Sequence, residues 1–208
     1  MKIKYFLEIL RILWYKEIVV MAYPHTPKLI LPMKKWQVND IKHLQHQNYS
    51  GVDWGFHLGE DCLIRAGTPV RSIGRGKVVY SALHSSSNPP ESEGKRGSNW
   101  GNIIIIAHKH PKSKLVFFSL YGHLGERLVE KGDRVEIDQK IGKVAKGWTK
   151  ENGWWKQAHL HFAIYVGPWR GKVLPGAYYD GSERTKTTHW VSPTKFIEDY
   201  NNSNKGGE

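Results

Sequence analysis

The stretch HLHFAIYV, residues 159–166, decides the fold. It holds no Asp, Glu, Lys or Arg, it is rich in β-branched and aromatic side chains, and Gly167 and Pro168 close it. A run of this length and composition predicts a strand. Side chains at i and i+2 of a strand share a face, so His159 and His161 project together, with Leu160 and Phe162 on the opposite side. One face is apolar and the other carries two imidazoles, which is the make-up of a strand that lines a site.

Outward from this strand the same reading recurs. Residues 70–73, 77–81, 102–108, 115–121 and 140–144 are further short apolar or β-branched runs, and Gly74, Gly76, Gly132 and Asp133 supply turn chemistry between them. Helical periodicity is scarce after Val70. The pattern predicts a mainly β fold: an antiparallel, sandwich-like or barrel-like sheet. The segment SSSNPPESEGKRGSN at 85–99 is too polar and too rich in Pro and Gly to pack, and is expected to be an exposed loop. Ser192 and Pro193 ahead of KFIEDY predict a short C-terminal helix over 192–200. Residues 201–208 read as a disordered tail.

At the other end, Phe6, Ile9, Leu10 and Leu13 fall at near-helical spacing and are interrupted by Glu8, Arg11, Lys16 and Glu17. This predicts an amphipathic N-terminal helix, packed on the body or lying at a membrane surface. There is no uninterrupted apolar core of a secretory signal and no apolar run of membrane-spanning length. Met21 offers an alternative start. The expected organisation is an N-terminal extension over 1–48, one domain over 49–200 and a tail over 201–208.

Composition narrows the chemistry. With 31 Lys and Arg against 19 Asp and Glu, the formal charge is +12, which favours an anionic partner without choosing among nucleic acid, anionic lipid and acidic polymer. The only cysteine, Cys62, excludes an internal disulfide and every Cys-rich zinc site, so a metal would have to be held by histidine and carboxylate. Cys62 adjoins Asp61 but would face the other side of a strand, as a small buried residue rather than a nucleophile. Two further clusters then matter. In HLGED, residues 57–61, His57 and Asp61 stand four apart around Gly59, which permits a sharp bend. In FSLYGHL, residues 118–124, His123 follows Gly122 at the expected strand end, placed to face a cleft. Two histidines and one carboxylate, with a fourth position left to water, form a recurrent catalytic zinc set. The chain has no His-Glu-x-x-His, no Gly-x-Ser-x-Gly elbow and no P-loop.

Together these segments resemble the lysostaphin-type (M23, LytM-like) zinc metalloendopeptidases, which hydrolyse peptidoglycan. The matching pieces, in order, are HLGED at 57–61, GTPV at 67–70 and GRGKVV at 74–79; WGNIIIIAH at 100–108; YGHL at 121–124; and GDRV at 132–135 with QKIG at 139–142, leading to HLHF at 159–162. The resemblance implies that His57, Asp61 and His161 bind one Zn2+ ion, and that His123 and His159 are catalytic, flanking the open position. It does not divide the general base from the other role. Asp53, in YSGVD at 49–53, competes with Asp61 for the carboxylate position, but only Asp61 stands at the family's distance from the GTPV turn. Asp53 is therefore read as structural or hydrogen-bonding, and His108 as supporting or structural.

The chain departs from the family in the segment AKGWTKENGWWKQA at 145–158, which stands where a glycine-rich turn is usual, and in Ala163, where acidic residues are common. Trp148, Trp154 and Trp155 in that segment are candidates for stacking against peptide or glycan. The implied function is zinc-dependent hydrolysis of cross-bridge or stem peptides of bacterial peptidoglycan, in the cell envelope or outside the cell. The basic charge would suit anionic wall polymers, and no nucleic acid is expected as partner. An inactive peptidoglycan-binding or regulatory scaffold is the alternative.

Overall fold

The computed structural model describes residues 23–49, 52–84, 100–169, 178–179 and 187–205, so the expected N-terminal helix and the 85–99 loop lie outside the described residues. The strands, in chain order, are β1 (His46–Tyr49), β2 (Val52–His57), β3 (Glu60–Leu63), β4 (Pro69–Arg71), β5 (Gly76–His84), β6 (Gly101–Lys109), β7 (Val116–Arg127), β8 (Arg134–Val135), β9 (Lys140–Val144), β10 (His159–Tyr165), β11 (Tyr178–Tyr179) and β12 (Trp190–Val191). One α-helix, α1 (Pro193–Lys205), is found among the described residues. It is too short and too polar to cross a membrane.

All strand ladders are antiparallel. The main sheet runs β12-β10-β7-β6-β5-β8, with β3 beside β10 and the β4–β9 pair joined to β7, and a small sheet runs β1-β2-β11. The run IIII at 103–106 in β6 explains why this sheet is covered on both sides: alternate isoleucines point to opposite faces, and all four are fully buried. Ile104 and Ile106 pack with Phe117, Tyr121, Leu160 and Phe162 on one face. Ile103 and Ile105 pack with Leu58, Trp100, Phe118 and Leu120 on the other. Burial of this kind contributes roughly 25 cal/mol per Å² of apolar area.

Two expectations are corrected. The helix does not stop at residue 200: it runs to Lys205, into the stretch read as tail, because Asn201 anchors it. The Asn201 Oδ1 accepts from the Leu29 N–H at 2.9 Å, and its Nδ2 donates to the Leu29 carbonyl at 2.8 Å. His123 is also not at a strand end, since β7 continues to Arg127. It sits at an irregularity in the ladder with a left-handed φ of 61°, and such a bulge re-aims one side chain without ending the strand.

Candidate metal centre

The turn that joins β2 to β3 and the strand β10 build the centre. His57 ends β2, Leu58 and Gly59 make the turn, and Asp61 lies in β3, which pairs with β10 so that Asp61 is directly opposite His161. The same register sets Cys62 against Leu160, and Cys62 is buried in the core below, as its alternation with Asp61 requires. Three donor atoms converge. His161 Nδ1 lies 2.9 Å from Asp61 Oδ1 and 2.9 Å from His57 Nε2, and His57 Nε2 lies 3.3 Å from Asp61 Oδ1.

A zinc ion held tetrahedrally at about 2.0–2.1 Å spaces its nitrogen and oxygen donors by about 3.3 Å, so this triangle is close to the size the ion needs. Two imidazoles and one carboxylate are also its ordinary donor chemistry, and His57, Asp61 and His161 are a group of metal-capable side chains among the described residues. The residues fit the group.

The electrostatics agree. Burial pushes the Asp61 carboxyl up, but the neighbouring His57 and His161 imidazoles outweigh it and hold the group well below the usual carboxylate range. Burial lowers His161 to about 4, against the opposing pull of Asp61. His123 is held well below its ordinary value by burial and then by His159 and His161. The carboxylate is thus charged and these two imidazoles neutral at pH 7, with lone pairs available for a metal or a proton.

His159 and His161 share a face of β10 as the alternation predicts, and the His159 and His123 rings lie 4.3 Å apart between centroids. Three of the four histidines are oriented alike, by main-chain carbonyls. Nδ1–H of His57 reaches toward Lys42 O at 3.3 Å, that of His123 donates to Asn152 O at 3.0 Å, and that of His159 donates to Gln157 O at 2.9 Å. A carbonyl only accepts, so each bond puts the proton on Nδ1 and leaves the Nε2 lone pair for the site.

Several contributors were not legible in the sequence. Gly59 is required by contact: a Cβ there would lie 2.6 Å from Cε1 and Nε2 of His161 and 2.7 Å from the Phe162 carbonyl oxygen. Trp100 lies against the His161 ring at a centroid distance of 4.8 Å. Glu60, buried beside Asp61, accepts from Ser192 Oγ at 2.8 Å, from the Thr194 N–H at 3.2 Å and from Thr194 Oγ1, which ties the start of α1 to β3. Residues 39–45 run alongside this connection. The Asp61 N–H donates to Ile41 O at 2.9 Å, the Leu44 N–H to His57 O at 2.7 Å and the His57 N–H to Gln45 O at 3.1 Å. The Asn39 side chain pairs with both the N–H and the carbonyl of Leu63. The signal for these partners is absent from local pattern, since they are irregular segments or lie far along the chain.

The remaining candidates fall into place. Asp53 is an exposed residue of β2 that accepts from the Gly55 N–H and faces His46 Nε2 at 3.1 Å, apart from the donor triangle. His108 is fully buried between strands, with Nδ1–H donating to Arg75 O at 2.8 Å and Nε2 accepting from Ser119 Oγ at 2.7 Å. Trp155 lies with its ring 6.3 Å from that of His123 and 6.4 Å from that of His159. Trp148 is 52% exposed, and Trp154 is partly buried with its Nε1 enclosed.

With this centre in view, the comparisons are specific. Residues 55–173 match Peptidase family M23, more than half of the chain, and the chain belongs to that family. Among curated proteins it is 30% identical over 146 residues to lysostaphin of Staphylococcus simulans, covering 69% of this chain and 25% of that protein. It is 32% identical over 112 residues to glycyl-glycine endopeptidase ALE-1 of Staphylococcus capitis, covering 54% and 25%. It is 29% identical over 110 residues to peptidoglycan DD-endopeptidase ShyA of Vibrio cholerae, covering 53% and 20%. The chain thus spans about a quarter of the length of these relatives. Among solved structures LytU superposes with a TM-score of 0.51 at 21% identity, covering 80% of this chain and 92% of that one, which supports the fold.

Proposed function

We propose that the protein is a zinc-dependent endopeptidase that hydrolyses peptide bonds in the cross-bridges or stem peptides of bacterial peptidoglycan, in the cell envelope or outside the cell. The observation that carries the reading is the convergence of His57 Nε2, Asp61 Oδ1 and His161 Nδ1 within 2.9–3.3 Å of one another. A relative named as a glycyl-glycine endopeptidase and one named as a peptidoglycan DD-endopeptidase support the substrate class.

His57, Asp61 and His161 would hold the ion. Zinc bound there supplies a Lewis acid that polarises a peptide carbonyl and eases deprotonation of water near neutral pH. The chain's own residues do the rest. His123 and His159, each with Nδ1–H on a main-chain carbonyl, present Nε2 to the site; one accepts there the proton of the attacking water and passes it to the leaving amine, while the other, when it carries a proton on Nε2 as well, donates a hydrogen bond to the charge on the tetrahedral oxygen. Trp155, beside the His123 and His159 rings, and the exposed Trp148, whose main-chain N–H donates to Trp155 O, are the aromatic side chains offered to peptide or glycan. The formal charge of +12 favours adhesion to anionic wall polymers.

The test is zinc content of the purified protein together with release of free amines from purified sacculi. His161→Ala is expected to lose both metal and turnover, and His123→Ala to keep the metal and lose turnover. A wild-type protein that binds no zinc refutes the reading. One that binds zinc and sacculi but releases no amine is a scaffold instead.

A further inference from the structure

We infer that Asn152 is a positioning residue that fixes the tautomer and the relative placement of both flanking histidines, His123 through its main-chain carbonyl and His159 through the Gln157 carbonyl that its buried side chain holds. This rests on the reading of those histidines as the proton-transfer pair. It arises in the tryptophan-bearing segment 145–158.

Asn152 is fully buried at the end of the 3-10 turn Lys150–Asn152. Its main-chain carbonyl accepts from His123 Nδ1 at 3.0 Å. Its side-chain Nδ2 donates to Trp155 O at 2.7 Å and to Gln157 O at 3.0 Å. Gln157 O also accepts from His159 Nδ1 at 2.9 Å. The two imidazoles are therefore joined by an unbroken path: the His123 ring, the Asn152 main chain, the Asn152 amide, the Gln157 carbonyl and the His159 ring. The amide has only one workable orientation. Turned round, its oxygen would face two carbonyl oxygens, so its two N–H donors do the holding.

The turn is braced so that it presents that carbonyl rigidly. Thr149 Oγ1 accepts from the Asn152 N–H, and Gly153, left-handed at φ 64°, donates its N–H to Lys150 O. Gly101, at φ 58°, lies against the main chain of Glu151 and Gly153 so tightly that no Cβ fits. Without the Asn152 amide, Trp155 O loses a donor, Gln157 O keeps only His159, and the segment carrying both acceptors is released. An asparagine that only closed a turn would affect stability; one that sets two tautomers affects the proton-transfer step as well.

The test uses the zinc-loaded full chain with Asn152→Asp, which keeps the shape and removes both donors, and Asn152→Ala. Long-range 1H–15N spectra read the histidine tautomers, and defined muropeptides give kcat and KM. Expected are Nδ1–H tautomers for His123 and His159 in the wild type, a mixture in both variants, one zinc retained per chain, and kcat lower by about 10–100-fold with KM within about twofold. Wild-type tautomers and kcat in folded variants overturn the inference. So does an Nε2–H tautomer at either histidine in the wild type, a measurement that needs no variant. If wild type binds zinc but cleaves nothing, the peptidase reading fails, and the tautomer spectra still decide the role of Asn152.

Discussion

Gly59→Ala is the sharpest perturbation of the centre that leaves every candidate ligand in place. The new carbon would lie 2.6 Å from Cε1 and Nε2 of His161 and 2.7 Å from the Phe162 carbonyl oxygen. The carbonyl belongs to the β10 main chain and cannot yield, so the turn at residue 59 must back away from it while the imidazole parts from the new carbon. Ordinary contact begins near 3.4 Å, and residue 59 and the ring must therefore separate by about 0.8 Å. Metal–ligand distances tolerate only about 0.2 Å, so a displacement of that size removes His161 from a competent position. Zinc affinity is expected to fall by about 100-fold or more, while overpacking costs stability about 1–3 kcal/mol. The assay is zinc titration of apoprotein against a competing chelator, with a urea melt alongside to confirm folding. Gly122→Ala serves as the graded comparison, because its new carbon meets Trp100 at 3.1 Å and only the Cβ of His161, at 3.5 Å. Wild-type zinc affinity in folded Gly59→Ala would sink the proposal that His161 is a ligand held in place by that glycine.

Three further outcomes are expected. Glu60→Gln keeps shape but removes the charge that accepts three hydrogen bonds at the start of α1, and should lower stability by about 1–3 kcal/mol in urea denaturation; no change would mean α1 is not anchored there. His108, lowered to about 4 by burial, binds its proton less readily folded than unfolded. Its contribution is therefore fully present above the ordinary value of 6.5 and is lost as pH falls from there to about 4, so the stability gap between wild type and His108→Gln should shrink by on the order of 3 kcal/mol over that window. A pH-independent gap contradicts this. Trp148→Ala, at an exposed position, should leave stability within about 0.5 kcal/mol and weaken sacculus binding in a sedimentation assay; unchanged binding removes Trp148 from the substrate wall.

How much of this was readable beforehand follows from what local sequence can encode. The 159–166 run announces its strand and its two faces because alternation is a property of neighbours, whereas the pairing of Asp61 with His161 is a register that no local pattern states. The hairpin strands β1 and β2 were missed: NYSGVDWG mixes polar residues with glycine, and no apolar alternation marks it. His123 was placed at a strand end because Gly122 looks like a terminator, whereas the chain uses a bulge there and continues. The carbonyl acceptors that orient His57, His123 and His159 were invisible for a simpler reason. Any residue has a carbonyl, so its identity carries no information, and only the path of the backbone brings Lys42, Asn152 and Gln157 to the rings.

The grip on the β2–β3 connection has a practical consequence for where this protein begins and ends as a working unit. Residues 41–45 hold the connection from one segment and Ser192 and Thr194 from another, and both lie beyond the 55–173 span shared with the family. A fragment trimmed to the shared span would keep all five candidate histidine and aspartate side chains and shed the bonds that brace two of them. Sequence similarity marks what relatives have in common; the smallest excisable piece that still assembles the centre is longer, reaching from about Asn39 through the first turn of the C-terminal helix.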